Sequence, residues 1–279
     1  MAMDNLYLPY LATIEDIYDE APDIRSYKLV FKDPKVRDTF DFKTGQFGLY
    51  SAFGAGESTF CIASSPTRKG YIQCTFRNVG RVTSALADLS IGDTIGFRGP
   101  YGNWFPIEEW EGKNLVFIAG GIALPPVRSV IWNCLDEREK YKDITIVYGA
   151  KAVADLVYKN ELAHWEERSD INLIQTVDPG GETDDWKGKV GFVPTILEEA
   201  APSPNNTIAI TCGPPIMIKF VLNVLGNLGF SDDQVYTTLE NKMKCGVGKC
   251  GRCNVGDIYI CKEGPVYTSG EVKRMYNDF

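Results

Sequence analysis

The sequence predicts a β barrel, then a parallel α/β domain, then a small cysteine-bearing arm. Three observations carry this reading. Short apolar stretches broken by Pro and Gly fill residues 7–105. Beyond Trp110 apolar strands alternate with helical patterns. Four of the eight cysteines then crowd into the 17 residues from Cys245 to Cys261.

In the first part, residues 26–31, 46–50, 60–63, 71–76 and 94–97 read as strands. Five or six strands spaced by turn residues fit a small antiparallel barrel. One helical segment, 82–89, interrupts them. In the second part, strands are expected at 114–118, 143–148, 172–177, 207–211 and 234–239. Helices are expected at about 126–135, around Glu161, at 194–199 and at 215–228. Strands joined by crossover helices make a parallel, doubly wound sheet. The tail from Glu240 is too short and Cys-rich for a core of its own, and is expected to lie outside the other two. The domain boundaries are therefore expected at 1–108, 109–239 and 240–279.

A chain of 279 residues suits two compact domains and an appendage. Its 44% of hydrophobic residues is enough for ordinary cores. No apolar run of about 18 residues occurs, so no membrane span is expected. Residues 1–9 lack a basic segment ahead of an apolar core, so no secretory leader is expected either. The net charge of −8 argues against a nucleic-acid binder, which carries a basic face. A cytoplasmic location is the expectation. Disulfide scaffolds belong to small secreted domains, so the clustered cysteines read as metal binding instead. The single histidine, His164, excludes His-rich metal sites and reads as a helix-surface residue.

The most specific motif is Cys245, Cys250 and Cys253, followed by Cys261. The first three have the C-x4-C-x2-C spacing of plant-type [2Fe–2S] ferredoxins. Four thiolates must converge on a small cluster while the loop wraps its sulfides. Gly246, Gly248 and Gly251 permit that wrapping and leave N–H groups to face sulfur. The gap to Cys261 is much shorter than in plant-type ferredoxins, which implies a compact relative. A structural zinc site and free thiols are the alternatives. Zinc sites more often pair two C-x2-C knuckles, and here only one short knuckle exists.

Three further stretches suit nucleotide chemistry. Gly120 and Gly121 follow an apolar strand and precede Leu124, Pro125 and Pro126 at a helix start. Such a turn brings amides and a helix amino end to a pyrophosphate, although it also serves simple close contact. Cys212 and Gly213 end another strand of the same sheet, where ligands bind, or where a Cys merely fills space. Phe60 and Cys61 sit on a strand, with Arg77, Gly80, Arg81, Val82 and Thr83 further on. In isolation that last group reads as a barrel strand and a surface helix. With Gly80 allowing close approach, it also suits a second pyrophosphate with arginine charge nearby.

Taken in order, these stretches resemble the ferredoxin–NADP reductase superfamily over essentially the whole chain. The nearest branch holds the electron-transfer subunit of dihydroorotate dehydrogenase, the gamma subunit of cytoplasmic nickel–iron hydrogenases and the B subunit of anaerobic sulfite reductase. Residues 240–253 carry the resemblance most specifically. It implies an FAD-binding barrel, a central NAD(P) domain and a C-terminal [2Fe–2S] arm. The family's flavin motif, Arg-x-Tyr/Phe-Ser/Thr, falls on Ser58, Thr59, Phe60 and Cys61. Phe60 matches, Ser58 replaces the Arg, and Cys61 replaces the hydroxyl residue. The resemblance places backbone at Ile62 and Ala63 beside the flavin, with Arg77 or Arg81 replacing the missing charge. It matches residues 80–83 to the pyrophosphate segment, and Gly120 and Gly121 to the dinucleotide turn beside Leu124 and Pro125. Ala123 stands where a third glycine often lies. Cys212 and Gly213 match the motif near the nicotinamide, and residues 99–102 a turn at the barrel's end.

The implied chemistry is consistent. NAD(P)H gives a hydride, a cluster takes single electrons, and a flavin between them does both. No protein acid or base is required. The implied partners are other subunits of a redox complex of hydrogenase, sulfite reductase or heterodisulfide-reductase type. The alternatives are a redox relay or sensing module without nucleotide turnover, and the dihydroorotate dehydrogenase subunit itself. Lys151 stands where a 2′-phosphate would lie, or faces solvent, so NAD and NADP are not separated here.

Overall fold

The structure, a computed structural model, describes residues 5–275. The first domain contains β1 Tyr10–Ala21, β2 Ile24–Phe31, α1 Pro34–Thr39, β3 Phe47–Ala52, β4 Gly56–Cys61, β5 Ile72–Arg77, α2 Arg81–Ala87 and β6 Thr94–Tyr101. The six strands form one antiparallel sheet in the order β4-β3-β6-β1-β2-β5. The sheet curls around Tyr27, Phe31, Tyr50, Phe76 and Phe97.

Two features differ from expectation. The longest strand, β1, was not among the apolar stretches, because Glu15, Asp16, Asp19 and Glu20 interrupt it. Three of those acids pair outside the core with a neighbouring strand: Lys28 with Glu15 at 2.6 Å and with Asp16 at 3.8 Å, and Arg25 with Asp19 at 2.7 Å. The barrel is also not closed by a hydrogen-bonded ladder, since β4 and β5 are the sheet's two ends. The gap is bridged otherwise. Phe60 stacks on Phe76 with centroids 5.6 Å apart. The Ile62 N–H donates to Gln46 O (3.0 Å) and the Ala63 N–H to Gln73 O (2.8 Å). Residues 62 and 63 therefore span both sheet edges.

The second domain runs β7 Asn114–Gly120, α3 Leu124–Asp136, β8 Ile144–Ala150, α4 Lys159–Glu166, β9 Asn172–Val177, β10 Lys189–Val190, α5 Val193–Ala200, β11 Thr207–Cys212, α6 Pro215–Asn227 and β12 Val235–Thr238. The tail adds β13 Asn254–Val255, β14 Ile258–Tyr259, α7 Ile260–Glu263, β15 Val266–Thr268 and α8 Ser269–Met275. The sheet order is β10-β9-β8-β7-β11-β12-β15, and all pairings are parallel except β12 with β15. The five expected parallel strands are present. β10 has only two residues, too few to show a period. α3 starts at Leu124, slightly ahead of expectation. Pro125 and Pro126 suit its first turn, where a missing N–H is not needed.

The tail does not stand outside the other cores. β15 extends the second sheet, and Cys253, Ile260, Cys261, Tyr267 and Val272 pack with Phe47 and Leu49 of the barrel. The residue after the 99–102 turn, Asn103, holds it there. Its side chain donates to Val266 O (2.6 Å) and accepts from Val266 N–H (2.8 Å), while its own N–H donates to Gly264 O (2.7 Å). The tail lacks enough apolar residues for a core, so it borrows one.

Candidate active site and cluster loop

In a doubly wound sheet, ligands bind at the carboxyl ends of the strands where the strand order reverses. Here β7 feeds β8 on one side, and the chain later returns to β11 on the other. The two strands pair directly, with Cys212 opposite Ala119. The turns at Gly120 and Gly121 and at Cys212 and Gly213 therefore lie side by side. Met217 of α6 fills the space between them. A Cβ on Gly120 would meet its Sδ at 2.4 Å, and one on Gly213 its Cε at 2.2 Å. Gly121 has φ +56°, and a Cβ there would meet nothing within 4 Å. The turn thus faces open space. Tyr148 of β8 braces it, donating to Gly121 O (3.1 Å) and accepting from Val157 N–H (3.1 Å). The Leu124 and Pro125 side chains are buried.

Three segments meet in front of this switch point. Cys212 is buried, and its thiol lies 2.9 Å from Thr238 Oγ1. Burial, then the nearby Glu240 carboxylate, pushes that thiol up to about 12. Cys61, at the end of β4, is raised well above the ordinary thiol value by burial, then by Glu240 and Cys212. Glu240 is open to solvent, yet surrounding protein crowds it enough to raise its carboxyl pKa. Cys61 from the barrel and Cys212 from the sheet both feel the charge of Glu240, the tail's first residue. Glu240 was not foreseen. It follows β12, the next strand beyond β11, so its place at the carboxyl edge was the available signal.

The remaining barrel candidates lie around α2. Thr83 Oγ1 accepts from the N–H groups of Val79 (3.0 Å) and Gly80 (2.8 Å), which fixes the turn into the helix. The first-turn N–H groups at Arg81, Val82 and Thr83 point out of the helix end. Arg81 reaches back to Gly54 O at 3.3 Å, and Arg77 pairs with Asp23 at 3.2 Å. Phe60 is half-buried between Tyr50 and Phe76. Lys151 is exposed, and so is His164, which stacks on Trp132.

A buried polar clamp joins the domains beneath residues 61–63. Arg128 of α3 donates to Ala63 O (2.5 Å) and twice to Glu161 (2.7 and 2.5 Å). Ser129 Oγ donates to Ser64 O at 2.7 Å. Trp132 Nε1 also donates to Glu161 (2.7 Å), and Tyr158 lies under the guanidinium at 4.6 Å. Arg128 is not among the expected site residues, although a cation inside an otherwise apolar helix is a visible signal. A separate cavity of about 300 Å³, lined by Asp41, Trp104, Asn133 and Lys140 among others, lies at the opposite, carboxyl end of α3. It is remote from the strand ends.

The four clustered cysteines come together two by two. The Cys250 thiol helps to lower the Cys245 pKa, and Cys253 helps to raise that of Cys261. Cys261 also senses Cys245. The loop amides aim at sulfur as expected. Lys249 N–H donates to Cys245 Sγ (3.2 Å), Gly248 N–H to Cys261 Sγ (3.2 Å), and Cys261 N–H to Cys253 Sγ (3.4 Å). Burial raises the Cys245 pKa, but the amides of Val247, Lys249 and Cys250 and the Cys250 thiol together outweigh it and bring it to about 7. Cys253 and Cys261 are buried, Cys245 is half-buried and Cys250 is exposed. Among the described residues no three Cys, His, Asp or Glu side chains are placed around a single ion. Gly246, at φ +75°, lies where a Cβ would strike Leu49 at 2.7 Å and Tyr101 at 2.8 Å, so the loop presses on the barrel.

Comparison with known proteins agrees with this layout. A model of oxidoreductase FAD-binding domains matches residues 12–105, and one of oxidoreductase NAD-binding domains matches 117–223. A model of the iron–sulfur cluster binding domain of dihydroorotate dehydrogenase B matches 240–273. Sulfhydrogenase 1 subunit gamma of Pyrococcus furiosus is 38% identical over 272 residues, covering 96% of this chain and 93% of that protein. A probable dihydroorotate dehydrogenase B (NAD(+)) electron transfer subunit of Methanocaldococcus jannaschii is 32% identical over 269 residues, covering 95% and 91%. Among solved structures, an NADH-dependent reduced ferredoxin-NADP oxidoreductase superposes with a TM-score of 0.72 at 23% identity, covering 96% of this chain and 91% of that one. The cytochrome b5 reductase domain of Ulva prolifera nitrate reductase gives 0.66 at 21%, covering 83% and 97%. The chain has the fold of ferredoxin–NADP reductases, belongs to the family of hydrogenase gamma subunits and dihydroorotate dehydrogenase electron-transfer subunits, and is an electron-transfer oxidoreductase with FAD-, NAD(P)- and iron–sulfur-binding parts.

Proposed function

We propose that this subunit carries electrons from NAD(P)H through FAD to a [2Fe–2S] cluster and on to another redox subunit. The observation that carries this is the pairing of β7 with β11, which sets the Gly120 and Cys212 turns side by side at the switch point, with Arg128 joining that domain to Ala63 beyond the flavin-side strand. FAD, when bound, takes a hydride and releases single electrons, which joins a two-electron donor to a one-electron acceptor. The protein's part is placement and exclusion of water. Gly120 and Gly121 offer amides and space to a dinucleotide pyrophosphate, and Cys212 and Gly213 line the nicotinamide end. Phe60, Cys61, Ile62 and Ala63 border the flavin. Gly80, Arg81, Val82 and Thr83 give the flavin pyrophosphate a helix amino end, with Arg77 as nearby charge. No side chain needs to act as general acid or base.

The thiols fit a two-iron cluster in their chemistry and pairing. Cys245, Cys250, Cys253 and Cys261 would supply two thiolates to each iron of such a cluster, with loop amides aimed at sulfur. Metal analysis of the purified protein tests this. About two irons per chain are expected, and one zinc without iron would sink the assignment. None of the eight cysteines forms a disulfide, which suits a reducing cytoplasm.

Cys61→Ser is expected to keep both FAD and iron, because Cys61 borders the flavin and is no cluster ligand. Absorbance and iron assay on one sample check this. A protein that keeps flavin but loses iron would contradict it.

The partner subunit is expected to meet the cluster loop. Lys242, Lys244, Lys249 and Arg252 are exposed there with no acid between residues 242 and 252, on a chain of net charge −8. Such a patch suits an acidic surface around the acceptor. Lys249→Glu with Arg252→Glu is expected to lower electron delivery to the native partner about tenfold, with dye reduction by NAD(P)H unchanged. Unchanged delivery would move the interface elsewhere.

A further inference from the structure

Arg98 of β6 is 4% exposed, and every nitrogen of its guanidinium is engaged. Its Nε donates to Glu57 Oε1 (2.8 Å) and its Nη2 to Glu57 Oε2 (2.7 Å). Glu57 lies on β4, the strand that ends in Phe60 and Cys61. The third nitrogen, Nη1, reaches the tail. It donates to the carbonyl of Cys245 at 3.3 Å, and is shared with Leu6 O (3.1 Å) and Tyr101 Oη (3.4 Å). Tyr101 in turn donates to Leu6 O at 3.2 Å and lies against Gly246. Two residues beyond Glu57, Thr59 Oγ1 donates to Met243 O at 3.4 Å.

One strand therefore carries both functions. Its last residues border the flavin, and its Glu57 and Thr59 reach, directly or through Arg98, the backbone at Met243 and Cys245. A planar guanidinium with fixed donor directions suits such a joint better than a flexible ammonium, because it satisfies a carboxylate fork and a carbonyl together. A buried guanidinium paired with a partly exposed carboxylate gives little net stability compared with apolar residues of similar volume. Its geometry is its more consequential property.

We propose that Arg98 is the positioning residue of the cluster loop. It fixes the peptide of the first ligand, Cys245, to the flavin-side strand, so that the cluster stands in one orientation at one distance from the flavin. The proposal rests on the reading of the four cysteines as a cluster site. Iron analysis of the unaltered protein tests that reading separately, so the two fail differently.

The experiment compares the unaltered protein with Arg98→Lys and with the double variant Arg98→Met/Glu57→Met. The double variant removes both charges and leaves neither buried alone. The readouts are FAD and iron content, the electron paramagnetic resonance spectrum after chemical reduction, and the rate at which NAD(P)H reduces the cluster. The spectrum does not depend on turnover. The double variant is expected to keep FAD and show a broadened or split cluster signal, with cluster reduction slowed at least tenfold. Arg98→Lys should recover part of the rate, since the ammonium reaches either Glu57 or Cys245 but does not hold both. Loss of iron with FAD retained would equally support a role in holding the first ligand. An unaltered spectrum with an unaltered rate overturns the proposal. So does loss of FAD together with iron, which would make Arg98 a residue of general folding.

Discussion

Arg128→Met is expected to destabilise the protein by about 3–5 kcal/mol, the usual cost of breaking a buried ion pair from one side. The buried guanidinium satisfies both oxygens of Glu161 and the carbonyl of Ala63. Removing it strands the Glu161 carboxylate against Trp132 and leaves a buried carbonyl unpaired. A loss of that size lowers the thermal midpoint by roughly 10 °C in a chain of this length. FAD should also be held less tightly, because Ala63 is one of the residues proposed to border the flavin. Arg128→Met/Glu161→Leu should recover most of the midpoint, since apolar residues of similar volume replace such pairs at small cost. Thermal unfolding followed by circular dichroism checks both. A fall of less than about 2 °C for the single variant would show that the clamp does not hold the domains together.

Cys245→Ser is expected to abolish the cluster and, with it, electron delivery to any partner, while FAD stays bound and is still bleached by NAD(P)H. The choice of cysteine matters. Cys253 and Cys261 belong to the apolar cluster that fixes the tail to Phe47 and Leu49, so replacing them disturbs folding as well. Cys245 is half-buried at the loop's edge, and a serine hydroxyl nearly fills its place. The alcohol is a far poorer iron ligand because it stays protonated where the thiol, at about 7, does not. Iron assay and visible spectra decide the matter. Loss of both iron and flavin would show that the loop supports the flavin domain structurally.

The fold was legible where apolar residues recur between turn residues, as in β2, β5 and the strands of the second sheet. β1 was hidden by four acids, because three of them pair with basic side chains of the neighbouring strand. β10 and β15 were hidden by length, since two or three residues show no period. The cluster ligands were legible because their geometry is local to one loop. The polar joints were not, since they depend on residues far apart in the chain: Arg128 and Ala63 are separated by 65 positions, Arg98 and Cys245 by 147. Met217 shows the same limit. Nothing in an apolar helix marks the one side chain that fills the space between two glycine turns.

The central claim is that hydride arriving at the switch point leaves as single electrons through the cysteine loop. Anaerobic titration of the purified protein with NADH and with NADPH, read by visible absorbance and by electron paramagnetic resonance on the same samples, tests it most directly. The account predicts that the flavin band bleaches with one or both nucleotides, and that the signal of a reduced [2Fe–2S] cluster grows as it does. A flavin that neither nucleotide bleaches would contradict it and leave a relay or sensing module. A bleached flavin with no cluster signal would break the link between Cys61 and the loop that begins at Cys245.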